Sequence, residues 1–286
     1  MRLFLTTFIW IYISAGVHAG IYANNPPVLN DGELSYLNEY VGKFIIRSEV
    51  TGIDGRKVES FDNCTATLVS SRWILTTAHC VYPTPGVIIK NPNEMRFGRR
   101  VNGIFEFHRL SGLTVMGNYP EVAHEDWIFL ELENELPTGG AYPLIEMTDE
   151  SEWVSLNGAV KNITYLTFLS PDGSRDETMS SQLMAPSNFC ATSRLKYSVF
   201  ETFPNSAIEL GWQDFDKSFF GVSNCPSNLT SSGSPFIDRL GKIRAINAWQ
   251  RTGYSSGYFG ERIINAHLLS RSFYEAYLSI IPKKLN

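Results

Sequence analysis

Three side chains of this 286-residue chain could together carry out an acyl transfer: His79, Asp126 and Ser232. A serine hydroxyl becomes an effective nucleophile when a base takes its proton. An imidazole serves best as that base when a buried carboxylate fixes its tautomer and stabilises the imidazolium. His79 lies in Thr76-Thr77-Ala78-His79-Cys80. Asp126 lies in Glu125-Asp126-Trp127-Ile128-Phe129-Leu130, at the head of an apolar run. Ser232 lies in Thr230-Ser231-Ser232-Gly233-Ser234-Pro235. The order of these three, His, Asp, Ser, differs from the Ser, Asp, His order of the lipase and esterase arrangement. Glu125 is the weaker acid candidate. His108, His124 and His267 are expected to be surface or structural residues. Neither Cys-x-x-Cys nor His-Glu-x-x-His is present, so no metal and no cofactor is expected.

The segments around these residues read as strands. Val41 to Arg47, Ala66 to Val69, Trp73 to Leu75, Val87 to Ile89, Gly103 to Arg109, Leu113 to Met116 and Trp127 to Leu132 are β-branched or aromatic runs separated by turn residues. After Pro137-Thr138-Gly139-Gly140, a second group is expected at Trp153 to Leu156, Thr164 to Leu169, Gln182 to Ala185, Ser198 to Phe200, Ala207 to Leu210, Pro235 to Ile237 and Ile243 to Trp249. Ser170 to Glu177 reads as an exposed loop. Many short strands with Gly, Pro and Asn between them predict an all-β sandwich or barrel. The exception is Ile264 to Ile280, where Leu268, Leu269, Phe273, Tyr277 and Ile280 recur at helical spacing, predicting a helix docked on the second barrel.

Residues 1–19 carry Arg2, an apolar core from Leu3 to Ile13 and Val17-His18-Ala19. This pattern predicts a cleaved signal peptide and secretion, with no later membrane span. Residues 20–40 read as a polar extension. An apolar content of 43% supports a real core, and a net charge of −5 without a Lys/Arg run excludes a nucleic-acid binder. Four cysteines suit an oxidising compartment and allow three pairings. Asn63, Asn162 and Asn228 open Asn-x-Ser/Thr sequons and are glycosylation candidates. A glycan on Asn228 would crowd Ser232, so that site is expected to be unoccupied in an active enzyme.

The run Cys64-Thr65-Ala66-Thr67-Leu68-Val69-Ser70-Ser71-Arg72-Trp73-Ile74-Leu75-Thr76-Thr77-Ala78-His79-Cys80 resembles the chymotrypsin/trypsin-like serine peptidase family. The resemblance is strong here, fair around Asp126 and partial around Ser232, and spans about residues 40 to 286. Ser232-Gly233-Ser234-Pro235 is similar to the glutamyl-endopeptidase-like branch. The resemblance implies two antiparallel six-stranded β-barrels, about 41–137 and 150–262, and a C-terminal helix at about 264–281. It implies the disulfides Cys64–Cys80 and Cys190–Cys225, and His79, Asp126 and Ser232 as the catalytic triad acting on protein or peptide substrates. The backbone N–H groups of Thr230 and Ser232 would form the oxyanion hole, and Pro226, Ala248, Trp249 and Gln250 would lie at the substrate pocket.

Four departures stand out. Thr230 replaces a glycine, Ser231 an aspartate and Gln250 a glycine, and no Ile-Val-Gly-Gly start follows a basic residue. The absent start and the absent aspartate agree: activation by an internal ion pair is not expected. No acidic pocket floor can be named, so a preference for Arg or Lys is not supported. Two functions fit these residues, a secreted serine endopeptidase or a catalytically impaired homologue acting as a secreted binding module. The complete triad favours the first; Thr230, Ser231 and Gln250 favour the second.

Overall fold

The computed structural model describes residues 37, 39–51, 57–82, 95–102, 104–119, 125–167, 181–184, 189–194, 220–223, 225, 231–252 and 262–281. Outside the described residues lie the expected signal peptide, most of the extension, and the strands expected at Val87–Ile89, Ser198–Phe200 and Ala207–Leu210. The exposed loop at Ser170–Glu177, His124, Pro226, Asn228 and Thr230 lie outside them too.

Six antiparallel strands close the first barrel in the order β1-β2-β3-β6-β5-β4. These are β1 (Val41–Thr51), β2 (Lys57–Leu68), β3 (Trp73–Thr76), β4 (Met95–Val101), β5 (Ile104–Met116) and β6 (Ile128–Leu132). Inward residues make one apolar core that includes Phe44, Ile46, Ala66, Leu68, Ile74, Phe97, Ile128 and Leu130. β4 was not expected, because Met95-Arg96-Phe97-Gly98-Arg99-Arg100-Val101 carries three arginines. Its inward Met95 and Phe97 supply the alternation, while the Arg99 guanidinium donates to Glu39 O and Pro137 O and ties down the exit from the barrel. The two strands expected at 103–109 and 113–116 are one long strand, β5. Its register shifts between Leu110 and Thr114, where Gly112 takes a φ of +91° that its missing Cβ permits.

The second lobe is a six-stranded antiparallel sheet of order β10-β11-β14-β13-β12-β7. Its strands are β7 (Val160–Asn162), β10 (Thr192–Arg194), β11 (Phe220–Ser223), β12 (Pro235–Asp238), β13 (Ile243–Thr252) and β14 (Arg262–Leu268). An antiparallel bridge, Val160 to Cys190, brings the two edges of the sheet together. A separate hairpin pairs β8 (Thr164–Thr167) with β9 (Ser181–Met184).

Two expectations need correction here. Trp153 to Leu156 is not a strand: Glu150–Ser155 is a helical turn opened by a capping box between Asp149 and Glu152. It seats Trp153, fully buried, against Phe236 and against Gly221, where an added Cβ would fall 2.1 Å from the indole nitrogen. Nor does the C-terminal helix start at 264. Residues 262–268 are β14, paired with β11 on one side and β13 on the other, so strand pairing overrides the local helical spacing. The helix runs Arg271–Ile280, capped by Ser270 Oγ accepting from Phe273 N. It also docks differently from expectation, because Phe273 packs on Trp127 and Phe129 of the first barrel, at 5.3 and 5.1 Å between ring centroids. With Val41, Leu75, Ile145, Ile237, Ile246 and Tyr277 these rings form a core between the lobes. Burying a phenylalanine of this kind contributes about 1.5–3 kcal/mol, so the helix clamps the two halves together.

Candidate active site

β3 ends at Thr76, and the chain turns into a single 3-10 turn, Ala78–Cys80, that carries His79. The Cys64–Cys80 disulfide ties that turn to β2 across a separation of 16 residues, a loop whose closure stabilises by about 3 kcal/mol. Asp126 lies just before β6 and is completely buried. Its Oδ1 accepts the backbone N–H of His79 at 2.8 Å, and its Oδ2 lies 2.7 Å from His79 Nδ1. A carboxylate that close fixes the proton on Nδ1 and leaves Nε2 as the acceptor. The imidazole is 22% exposed, so it borders solvent while its anchor does not. Buried Tyr119 reports the same charge: burial and the nearby Asp126 push its phenol pKa upward, keeping it neutral. Glu125 is occupied elsewhere, accepting from Asn118 N at 2.6 Å and from Ser272 Oγ at 3.2 Å. The carboxylate that engages the histidine is therefore Asp126.

Ser232 sits in a tight turn closed by Ser234 N donating to Ser231 O at 2.9 Å. Gly233 takes φ +78°, the value a type II turn requires at its third position. No other residue fits there, since an added Cβ would fall 2.1 Å from Thr76 Oγ1 and 2.4 Å from Thr65 O. The turn is pinned on both flanks. Gly233 N donates to Asn247 O, and Asn247 N to Ser234 O, on β13. Opposite, Thr65 N of β2 donates to Ser232 O at 2.9 Å. Thr65 adjoins Cys64, whose disulfide partner adjoins His79, so one short stretch of the first barrel addresses base and serine together. The hydrogen bonds of His79 run to Asp126; among the described residues none joins its ring to Ser232. Such bonds often tighten only when substrate binds.

Ser231 is fully buried, and Thr164 Oγ1 donates to its Oγ at 3.0 Å. Because Thr164 has one proton, its 3.2 Å contact with Thr65 Oγ1 must be a bond that Thr65 donates, and Thr65 in turn accepts from Tyr165 N. The chain of donors therefore runs Tyr165, Thr65, Thr164, Ser231, with no charge in it. Asn162 Nδ2 completes the cradle by donating to Ser234 Oγ at 2.9 Å.

The sequence reading missed Thr65, Thr76, Asn162 and Thr164 as positioning residues. The signal was there, in polar residues placed inside strands next to apolar ones. At Asn63-Cys64-Thr65 and Asn162-Ile163-Thr164 it coincides with sequons, and the glycosylation expectation needs correcting at Asn162: the side chain is fully buried and its Nδ2 is committed, so the folded protein has no room for a glycan on it. Asn63 is 9% exposed. Cys190 and Cys225 are paired as the resemblance implied. Ala248, Trp249 and Gln250 lie on β13, where a register shift between Asn247 and Trp249 makes Ala248 the bulged residue.

A family model described as trypsin matches residues 48–192, just over half of the chain. The chain belongs to the trypsin family. The matched span contains His79 and Asp126 and ends before Ser232. No curated protein matches this trypsin-family chain by sequence. Among solved structures, a Glu endopeptidase in complex with MPD superposes with a TM-score of 0.53 at 16% identity, over 88% of this chain and 94% of the other. A scabies mite inactivated protease paralogue follows at 0.52 and 12%, over 86% and 94%. Neuropsin, a serine protease of mouse brain, gives 0.50 and 13%, over 86% and 96%. At these identities the likeness establishes the fold.

Proposed function

We propose that the chain is a secreted serine endopeptidase with His79, Asp126 and Ser232 as its triad. The observation that carries this reading is the Asp126 carboxylate, buried and bonded to His79 at both the backbone N–H and Nδ1. That arrangement turns Nε2 outward as a base, on the same stretch of barrel that holds the Ser232 turn. In the first step Ser232 Oγ bonds to the substrate carbonyl carbon as its proton passes to His79 Nε2. The C–N bond then breaks, and the leaving amine takes that proton. Water repeats the sequence in reverse, releasing the acid and restoring the serine. Asp126 keeps its charge throughout and stabilises the imidazolium.

The oxyanion needs N–H donors. Gly233 N and Ser234 N are committed to Asn247 O and Ser231 O, whereas among the described residues Ser232 N makes no hydrogen bond and is available. Thr230 N would be the second donor; losing one donor costs about 3–4 kcal/mol. Ser231, with its hydroxyl partner Thr164, removes the need for an incoming amino terminus, so cleavage near residues 40–48 is not expected to switch on activity. The two disulfides fit an extracellular protein.

A second reading, a secreted binding homologue on the same scaffold, is favoured by Thr230, whose β-branched side chain stiffens the position that must turn an N–H toward the oxyanion. Hydrolysis of an unstructured protein by the purified chain, lost in His79→Ala, supports the peptidase. Hydrolysis that persists in His79→Ala refutes this triad. A folded protein that cleaves nothing supports the binding homologue.

A further inference from the structure

Asn247 is 1% exposed, yet neither its Oδ1 nor its Nδ2 has a hydrogen-bond partner. Among the described residues it is the only side chain with two separate polar atoms buried and unpartnered. An orphaned buried amide is destabilising, because both ends have given up water without replacement. Its place in the fold suggests why it is kept. The Asn247 backbone pairs with the Ser232 turn on both sides, accepting from Gly233 N and donating to Ser234 O, each at 2.8 Å. Strand alternation puts Asn247 on the same face of β13 as Ala245, which packs with the Cys190–Cys225 disulfide and Phe236 inside the second lobe. The register shift that follows immediately releases Ala248 from regular pairing. The amide is therefore held inside the second lobe, on the strand whose backbone pairs with the Ser232 turn.

We propose that Asn247 selects substrates whose residue on the acyl side of the cleaved bond carries a primary amide, glutamine or asparagine; this rests on the serine-peptidase reading. The chemistry is one of matched valence. A carboxamide offers one acceptor and an NH2 donor, so a substrate carboxamide satisfies both ends of Asn247 at once. A carboxylate satisfies only Nδ2 and sets two acceptors against each other, a lysine ammonium satisfies only Oδ1, and an aliphatic side chain satisfies neither. A site built around such a pair discriminates strongly against analogues that leave its polar groups unpaired.

The test uses four peptides of one sequence that differ only at this residue, as Gln, Asn, Glu or Leu. Hydrolysis is followed with the wild-type protein, and binding with Ser232→Ala, which does not turn over. The expected result is a preference for the two amides of roughly 10- to 100-fold over Glu and Leu, in kcat/KM and in binding. Asn247→Leu, nearly the same shape, should abolish that preference without lowering Tm, since it removes an unsatisfied group. A merely structural asparagine would lower Tm and leave the preference intact. Equal cleavage or binding of all four peptides, or a preference unchanged in Asn247→Leu, overturns the proposal while leaving the peptidase reading in place. Amide-selective binding without hydrolysis by the wild type supports the role of Asn247 and removes the peptidase reading. No binding of any peptide to Ser232→Ala overturns the role.

Discussion

The two lobes hold their parts of the site by different means. In the first, His79 and Asp126 both belong to one closed barrel, and their bonds are a charged carboxylate contact backed by a disulfide. In the second, among the described residues, the sheet's edges meet through one bridge, and the Ser232 turn is held by neutral hydroxyls and amides, with the N–H and hydroxyl of Thr65 lent by the first barrel. His79 is thus positioned locally and Ser232 across the interface. Beside Ser232 the chain carries no carboxylate: Ser231 stands there, buried, and its hydroxyl is met by Thr164, which is met in turn by Thr65.

The largest effect should come from the charged half. Asp126→Asn keeps the shape but favours the wrong histidine tautomer, and should lower kcat by roughly 10⁴ with the circular dichroism spectrum unchanged; a loss under tenfold would mean that the first barrel does not position the base. Next comes Gly233→Ala, which combines positive φ with a 2.1 Å clash. It should cost about 3 kcal/mol or more, seen as a Tm drop of roughly 6–12 °C. Gly241→Ala shares the φ but has open space around it and should cost only about 1–2 kcal/mol. Equal losses at the two glycines would show that the close approach to Thr65 and Thr76 does not matter.

Thr164→Val then probes the neutral chain. It removes the donor to Ser231 and should cost about 1–2 kcal/mol, lowering kcat more than it raises KM. Thr67→Val, in the first barrel, removes a buried hydroxyl that has no partner and should be neutral or stabilising. If the two behave alike in thermal melts, the cross-barrel hydroxyl chain is not what holds the turn. The smallest effect concerns pH and stability away from the cleft. Burial, then Arg99, lower the pKa of His108 below 6.5, so the folded state binds fewer protons than the unfolded one. Stability should be retained above pH 6.5 and fall as pH drops below it. His108→Gln should flatten that slope in denaturant titrations at pH 5 and 7.

The first lobe was far more legible in the sequence than the second. The stretch from Cys64 to Cys80 encodes strand, turn and base within consecutive residues, so local pattern suffices. Trp153 and the segment 262–268 were misread because the deciding contacts are distant: Gly221 and Phe236 make the pocket for the indole, and β11 and β13 claim 262–268 as a strand. β4 was hidden by arginines whose partners are carbonyl groups on other segments. Asn162 and the two threonines of the cradle were invisible for a related reason. Asn63-Cys64-Thr65 and Asn162-Ile163-Thr164 match a glycosylation pattern, yet Thr65 and Thr164 meet each other at 3.2 Å to support Ser231. A buried polar residue looks like a surface one until its partner is known.

The most direct test of the account is whether Ser232 is an activated nucleophile. Purified protein would be exposed to a fluorophosphonate probe beside Ser232→Ala and His79→Ala controls. The account predicts labelling of the wild type that is lost in both variants. A folded, disulfide-intact wild type that takes up no probe, or labelling that survives in Ser232→Ala, would contradict it.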